Sequence, residues 1–277
     1  KTNPMQPSSA KMKSIDQGYG RFSRHYELPD GLLVPSVTTI IGVVAKPALI
    51  SWAANKEREL VTEAAADFYL DLPLAAPKMS KPAFLASLLA RLGKTKAHQR
   101  ELAKAGEIGS QAHALIEWNL RTELGQKVGA QPMVSPPAAL SFAQYEEWRA
   151  TAQLEPKLIE QVVWSREHEY AGTLDLFARA RCMRQGADGE LVQCVVDWKT
   201  GKGIYPEAFM QSSAYIRALV EMGHAQPPIW GLIVRLPKIE TDPGFEVAWV
   251  SPEEQKEHFI GFLAAKELWG WTQRRQA

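Results

Sequence analysis

The feature that most constrains this chain is the run Leu191–Trp198, "LVQCVVDW", followed by Lys199, Thr200 and Gly201. It is short, rich in β-branched residues and stopped by Thr-Gly, so it reads as a buried strand. Side chains alternate across a strand. Val192, Cys194, Val196 and Trp198 therefore share an apolar face, and Gln193, Val195, Asp197 and Lys199 share the other. An acid and a base thus point the same way at the end of a strand whose composition commits it to the core. An isolated Asp-x-Lys is most often an exposed ion pair contributing about 0–1 kcal/mol. Here the apolar approach implies partial desolvation, which is costly unless a partner compensates the charge. A metal ion or a phosphate would be such a partner.

A chain of 277 residues can form one large α/β domain, or a domain with an accessory lobe. No apolar stretch has the length of a membrane span, so no membrane partner is expected. The polar, Pro/Ser-containing start lacks the apolar core of a signal peptide, and residues 1–25 are expected to be a flexible arm. Two cysteines, Cys182 and Cys194, make neither a disulfide framework nor a metal knuckle, so a reducing compartment is expected. The net charge of +1 does not mark a nucleic-acid binder. Its distribution is uneven: residues 1–130 carry 17 Lys and Arg against 12 Asp and Glu, whereas residues 131–277 carry 15 against 19. A basic first half suits phosphate binding and an acidic second half suits a metal site.

The pattern along the chain predicts a helical first half leading into a mixed sheet with helices packed on it. "RHYELPDGLLVPSVTTII" reads as a hairpin, with a turn at Pro29-Asp30-Gly31 before a β-branched second strand. Helices are expected from Pro47 to Tyr69, from Pro82 to Leu92, through "GEIGSQAHALIEWNLRTEL", and from Leu140 to Ala152. Pro132 to Pro137 is the expected linker, giving a hairpin and helical lobe over 26–135 and a sheet domain over 136–277. "KLIEQVVWSREHEYAGTLDLFARARCM" predicts two strands joined by a charged turn, with the strand ending at Trp198 following the Gly186–Gly189 turn. "YPEAFMQSSAYIRALVEM" predicts a helix, then come strands "IWGLIVRL" and "FEVAWV". A last helix starts at Ser251, with Pro252 and Glu254 at the first and third helical positions.

Four further features bear on Asp197 and Lys199. In "YAGTLDLF", alternation sets Tyr170, Gly172, Leu174 and Leu176 against Ala171, Thr173, Asp175 and Phe177, with Gly172 permitting close backbone approach. Glu160 lies in another strand-like run, "KLIEQVVW". Gln211 and Tyr215 are four apart on a helix and present together; read alone, they belong to an ordinary amphipathic helix. His113 stands four after Gly109 and four before Glu117, and read alone it is a surface partner of Glu117.

Their order is more specific than any member. Gly-x-x-Asp, then Asp-x-Lys, then Gln-x-x-x-Tyr, with an upstream helical His, resembles the PD-(D/E)xK nuclease superfamily and, more narrowly, its RecB-like exonucleases. The stretch "LPDGLLVPSVTTIIGVVAKPALISWAANKERE" is similar to the opening of the mitochondrial genome maintenance exonuclease and of related phage and bacterial exonucleases. The resemblance spans residues 26 to 220. It implies an α/β restriction-endonuclease-like core, a mixed central sheet flanked by helices, with a helical N-terminal lobe.

The resemblance also implies roles. His113, Asp175, Asp197 and the backbone carbonyl of Trp198 would bind Mg²⁺ or Mn²⁺, since hard oxygens suit both ions and one imidazole favours the second. Lys199 would be the catalytic lysine, Glu160 a supporting acid, and Gln211 and Tyr215 the residues that order the lysine and the DNA end. Ser36, Thr38, Thr39 and Lys202 would contact phosphates. Relatives with an iron–sulfur cluster use four cysteines, so no cluster is expected here. The expected activity is metal-dependent DNA hydrolysis, by an exonuclease acting on single-stranded or frayed ends in recombination, repair or phage DNA processing. Partners would be DNA and a recombination or single-strand-binding protein, in bacterial or phage-infected cytoplasm rather than a mitochondrial matrix. The alternatives are a structure-specific endonuclease of the same fold and an inactive DNA- or protein-binding module.

Overall fold

A computed structural model describes residues 10–16, 22–44, 46–72, 79–184, 187 and 189–276. The chain divides into two compact units, Lys1–Val44 with Ile108–Ala277, and Ala45–Glu107. The division thus falls at 45 and 107 rather than at 135, and the N-terminal hairpin belongs with the large sheet. The reason is burial: Tyr26, Leu28 and Val34 of the hairpin region share one apolar cluster with Ala171 of the sheet.

The larger unit is α/β. Its main sheet holds β4 (Glu155–Ser165), β5 (Tyr170–Arg181), β6 (Leu191–Lys199), β7 (Trp230–Arg235) and β8 (Glu246–Val250), adjacent in that order. All pairs are antiparallel except β6–β7, whose parallel pairing requires a crossover. Helix α6 (Pro206–Glu221) makes that crossover and, with α7 (Glu254–Gln276) and the short α1 (Val37–Ile41), covers one face. That core gathers Tyr170, Leu174, Val195, Leu219 and Phe262. The other face packs Trp148 and Tyr145 of α5 (Pro136–Ala152), and Ile116 and Leu120 of α4 (Ala97–Glu123), on Leu176, Val196, Trp198 and Leu232. A mixed five-stranded sheet flanked by helices is therefore observed, as expected at that level. Helix α7 opens on the expected capping box: Ser251 N–H donates to Glu254 and Glu254 N–H donates to Ser251 Oγ at 3.3 Å.

A second sheet pairs β1 (Lys11–Asp16), β2 (Phe22–Glu27) and β3 (Leu33–Pro35) in an antiparallel meander. Lys11–Asp16, expected in a flexible arm, instead pairs along β2 over its full length. Residues 1–9 and 17–21 of that expected arm lie outside the described residues, as do 185, 186 and 188 around the expected Gly186–Gly189 turn. The Gly31 turn forms as read, with φ +85° at Gly31 and Leu28 N–H bonded to Leu32. The following β-branched run does not continue as a strand. Ser36 Oγ accepts the Thr39 N–H at 3.0 Å, and Val37, Ile40 and Ile41 recur at helical spacing on the buried side. Capping and burial together override the β preference. Helix α5 starts at Pro136, earlier than Leu140, because proline suits the first turn.

The smaller unit contains α2 (Pro47–Leu70) and α3 (Lys81–Leu92), close to the expected spans, and the start of α4, which begins at Ala97 rather than at the expected Gly106. Phe68 of α2 meets Phe84 of α3 edge-on at 5.2 Å, and Arg91 bonds Asp71. Among the described residues, no helix is long and apolar enough to cross a membrane.

Candidate functional site

The end of β6 is built as its sequence implies. Val195 joins the core on the α6 side, while Cys194, Val196 and Trp198 join the core under α5. Trp198 sits edge-on to Tyr145 and Trp148 at 5.4 and 5.3 Å, which anchors the strand's last turn of side chains. Asp197 is 1% exposed. Lys199 Nζ lies 2.6 Å from Asp197 Oδ2, so this buried carboxylate is paired with a cation from its own strand.

The neighbouring strand departs from simple alternation. Leu174 and Phe177 both face the α6-side core, whereas Leu176 and Ala178 face the other. The expected grouping of Leu176 with Leu174, and of Phe177 with Asp175, therefore fails: the pattern slips by one residue at Asp175. Two local facts accompany the slip. The β5–β6 ladder ends at Leu176–Val196, and beyond it Asp175 Oδ2 accepts the Trp198 N–H at 2.8 Å. Across on β4, Glu160 sits between the regular pairs Ile159–Leu176 and Gln161–Leu174 with a left-handed φ of 48°. Such a φ is uncommon for a residue with a side chain and frequent at functional sites.

Helix α4 delivers His113 to the same place. Its Nε2–H donates to the Trp198 carbonyl at 3.2 Å, and Nδ1 lies 3.6 Å from Asp175 Oδ1. The approach is close because residue 109 is glycine: a Cβ there would stand 3.1 Å from Thr200 Oγ1. Glu117 is not the partner of His113; it pairs with Arg121 at 2.7 Å. One ligand atom each from His113, Glu160 and Asp175 lies within 4.8 Å of the others.

Helix α6 closes the opposite side. Gln211 Nε2 donates to Asp197 Oδ1 at 2.9 Å, Gln211 Oε1 accepts from Lys199 Nζ at 3.1 Å, and Nε2 lies 3.4 Å from the Tyr215 hydroxyl. One amide thus spans the acid and the base, and both residues are buried rather than solvated. Gly172 makes room for the tyrosine: a Cβ there would fall 2.6 Å from Tyr215 Cε1.

Crowding of charge sets the protonation preferences. Burial, with the nearby Asp175 carboxylate, pushes Glu160 up to about 7. Burial pushes Asp197 up to about 6, with Lys199 opposing and Asp175 reinforcing. Burial disfavours charge on His113, but Asp175 and Asp197 outweigh it and hold the imidazole up to about 9. Burial likewise opposes the Asp175 carboxylate, and His113 and Lys199 overcome it to keep that group below its ordinary value. Lys199 is raised because Asp197 and Asp175 outweigh its burial. Three acids share a partly dry space with two cations, Lys199 pairing with Asp197 and His113 lying against Asp175. A divalent cation fits such a donor set of carboxylates, one carbonyl and one imidazole.

The remaining expected contacts are dispersed. Ser36 is 1% exposed, and its hydroxyl caps α1 and bonds those of Thr38 and Thr39. Thr39 Oγ1 also donates to the Arg24 carbonyl, whereas Thr38 is exposed. Lys202 is exposed in the loop between β6 and α6. Sequence reasoning missed Arg121, which donates to Glu117, to Gln126 and, at 3.1 Å, to the Ile159 carbonyl beside Glu160. Its signal was the spacing His113, Glu117, Arg121, one helical turn each. Tyr26, bonded to Thr173 Oγ1 at 3.0 Å, was also missed, and no sequence pattern marks a pair 147 residues apart. The sequence matches no protein-family model and no curated protein.

Proposed function

We propose that this protein is a Mg²⁺- or Mn²⁺-dependent deoxyribonuclease with a restriction-endonuclease-like core, acting as an exonuclease on single-stranded or frayed DNA ends. The observation that carries the reading is the close group of possible ligand atoms from His113, Glu160 and Asp175, next to a buried Asp197–Lys199 ion pair that Gln211 holds in place. The lean to exonuclease rests on the resemblance alone.

Asp175, Asp197, His113 and the Trp198 carbonyl would hold the ion, with Glu160 beside them. A bound divalent cation would supply charge neutralisation at the scissile phosphate and a more acidic water. The chain's own residues account for the rest. Lys199, kept protonated by the two aspartates, offers a compact positive charge to a phosphate oxygen or to the attacking water. Gln211 fixes where that charge sits, because it holds Lys199 and Asp197 with opposite ends of one amide. The Tyr215 hydroxyl accepts from the same amide nitrogen at 3.4 Å and so helps to hold its orientation. His113 must give up its proton before it can offer a lone pair, so it acts as a ligand only after that loss. Thr38, whose hydroxyl also bonds Ser36, and Lys202 are both exposed and would meet flanking phosphates.

The test is digestion of 5′- and 3′-labelled linear DNA and of closed circular DNA, with Mg²⁺, Mn²⁺, Ca²⁺ or EDTA. Mononucleotides or short products from linear DNA alone are expected with Mg²⁺ and Mn²⁺, and none with EDTA. Asp197→Asn and Lys199→Ala should each cost at least ~10²-fold in rate in a folded protein. Cleavage of closed circles would replace the exonuclease with an endonuclease. Parental rates in either folded variant would remove the site assignment.

A further inference from the structure

Arg121 is not among the residues that the nuclease reading uses, yet one of its three hydrogen bonds reaches the strand that carries Glu160. Its Nε donates to Glu117 at 2.7 Å, Nη1 to Gln126 Oε1 at 2.9 Å, and Nη2 to the Ile159 carbonyl at 3.1 Å. The first two bonds orient the guanidinium; the third reaches across to β4. That carbonyl belongs to the peptide unit joining Ile159 to Glu160. A peptide unit is planar, so fixing the direction of its carbonyl fixes one side of the φ rotation of the next residue. The next residue is Glu160, whose φ is 48° in the middle of a strand. A left-handed backbone at a residue with a Cβ persists only where its surroundings impose it.

We infer that Arg121 is a positioning residue for Glu160: it clamps the Ile159–Glu160 peptide, holds the left-handed turn, and so aims the Glu160 carboxylate at His113 and Asp175. The arrangement makes α4 a double support. One turn of the helix presents His113 directly, and two turns on it presents Arg121, which acts through Glu160. The inference rests on the metal reading above only in its consequence for cation affinity; the clamp itself is independent of any ion.

The sign of the effect separates positioning from charge. A guanidinium near a cation site repels the cation, so loss of its charge alone would tighten metal binding. Loss of the clamp would loosen it, by about 10- to 100-fold for an outer support of a metal ligand. Arg121→Lys keeps the charge but cannot make three directed bonds from one planar fork. It should therefore fall on the side of Arg121→Ala rather than of the parent. Arg121 is 31% exposed at its side chain, so its removal leaves no buried cavity.

Two measurements test this. In the metal-free protein, the ¹³Cα and carbonyl shifts of Glu160 report its backbone conformation; they should move from left-handed towards extended values in Arg121→Ala and Arg121→Lys. Shifts that stay at parental values overturn the proposal, whatever the protein does to DNA. Calorimetric Mn²⁺ titration then reads the consequence in the parent, Arg121→Ala, Glu160→Gln and the double variant. Arg121→Ala should weaken binding in the Glu160 background and add nothing in the Glu160→Gln background. Equal weakening in both backgrounds, or tighter binding in Arg121→Ala, overturns the positioning role. Absence of Mn²⁺ binding to the parent would overturn the metal reading instead, with the chemical shifts still deciding the clamp.

Discussion

Gly172→Ala tests the packing that seats the candidate site without reference to any activity. The Cβ of alanine at this position would stand 2.6 Å from Tyr215 Cε1 and 3.2 Å from its Cζ. The ring has to retreat by roughly 1 Å to restore ordinary carbon–carbon contact. Tyr215 is 3% exposed and set among Leu174, Ala218 and Leu219, so it has little space to retreat into. Overpacking of this kind costs about 1–3 kcal/mol. Against that, replacing glycine by alanine restricts the unfolded chain and contributes about 0.4–1 kcal/mol. The expected net loss is about 1–2 kcal/mol. Displacing the ring also moves the hydroxyl that lies against Gln211, and with it the amide that spans Asp197 and Lys199.

Urea unfolding followed by tryptophan fluorescence supplies the assay, with the midpoint read at constant slope. A second background isolates the contact. In Tyr215→Leu the ring carbon is gone, and Gly172→Ala should then be neutral or stabilising by up to about 1 kcal/mol. The coupling between the two positions should equal the overpacking cost, about 1–3 kcal/mol. Equal costs of Gly172→Ala in both backgrounds would refute the reasoning, because the loss would then arise in the strand and not against the ring.

Ser36→Ala should cost about 1–2 kcal/mol in the same unfolding assay, because the side chain is buried and accepts the Thr39 N–H, whereas exposed Thr38→Ala should change little. The cap of α7 should show in acid: the Arg184 guanidinium and the Ser251 N–H hold Glu254 down to about 2. Its folded value is below the unfolded one, so the stabilisation is present above about pH 4.3 and is lost as pH falls towards 2. The pair is partly exposed, so less than about 1 kcal/mol is at stake, and Glu254→Gln should flatten the stability profile over that window.

What could be read beforehand follows from the range of the forces involved. The strands β4 to β8, α2, α6 and the α7 cap all announce themselves locally, through alternation, helical spacing or a capping box. Asp197, Lys199, Gln211 and Tyr215 were legible for the same reason, since strand and helix periodicity alone put each pair on one side. Failures began where a distant surface chose between local options. The run Val37–Ile41 has β-branched residues and also helical spacing of its apolar positions; the N-terminal cap and the core decide for the helix. Lys11–Asp16 carries no apolar alternation, and its strand exists because β2 offers an edge to pair with. The one-residue slip at Asp175 is invisible to a period-two pattern, which has no term for where the neighbouring ladder stops.

That slip also accounts for why an acid and an imidazole are tolerated deep in the fold. After Val196, β6 keeps β7 as a parallel partner as far as Lys199–Arg235 but loses β5. The peptide groups of Trp198 would be left facing a strand that has turned away, and buried peptide groups without partners cost about 1–3 kcal/mol each. The Asp175 carboxylate takes the Trp198 N–H, and the His113 ring donates to the Trp198 carbonyl. Two side chains thus stand in for a missing strand, and both are residues assigned to the candidate metal group. Asp175 contributes to stability through a backbone bond before it contributes anything to chemistry. Asp197 does not share this duty, since its partners are the side chains of Lys199 and Gln211. On the proposed reading, loss of function at Asp175 therefore mixes two causes, a lost backbone bond and a lost ligand.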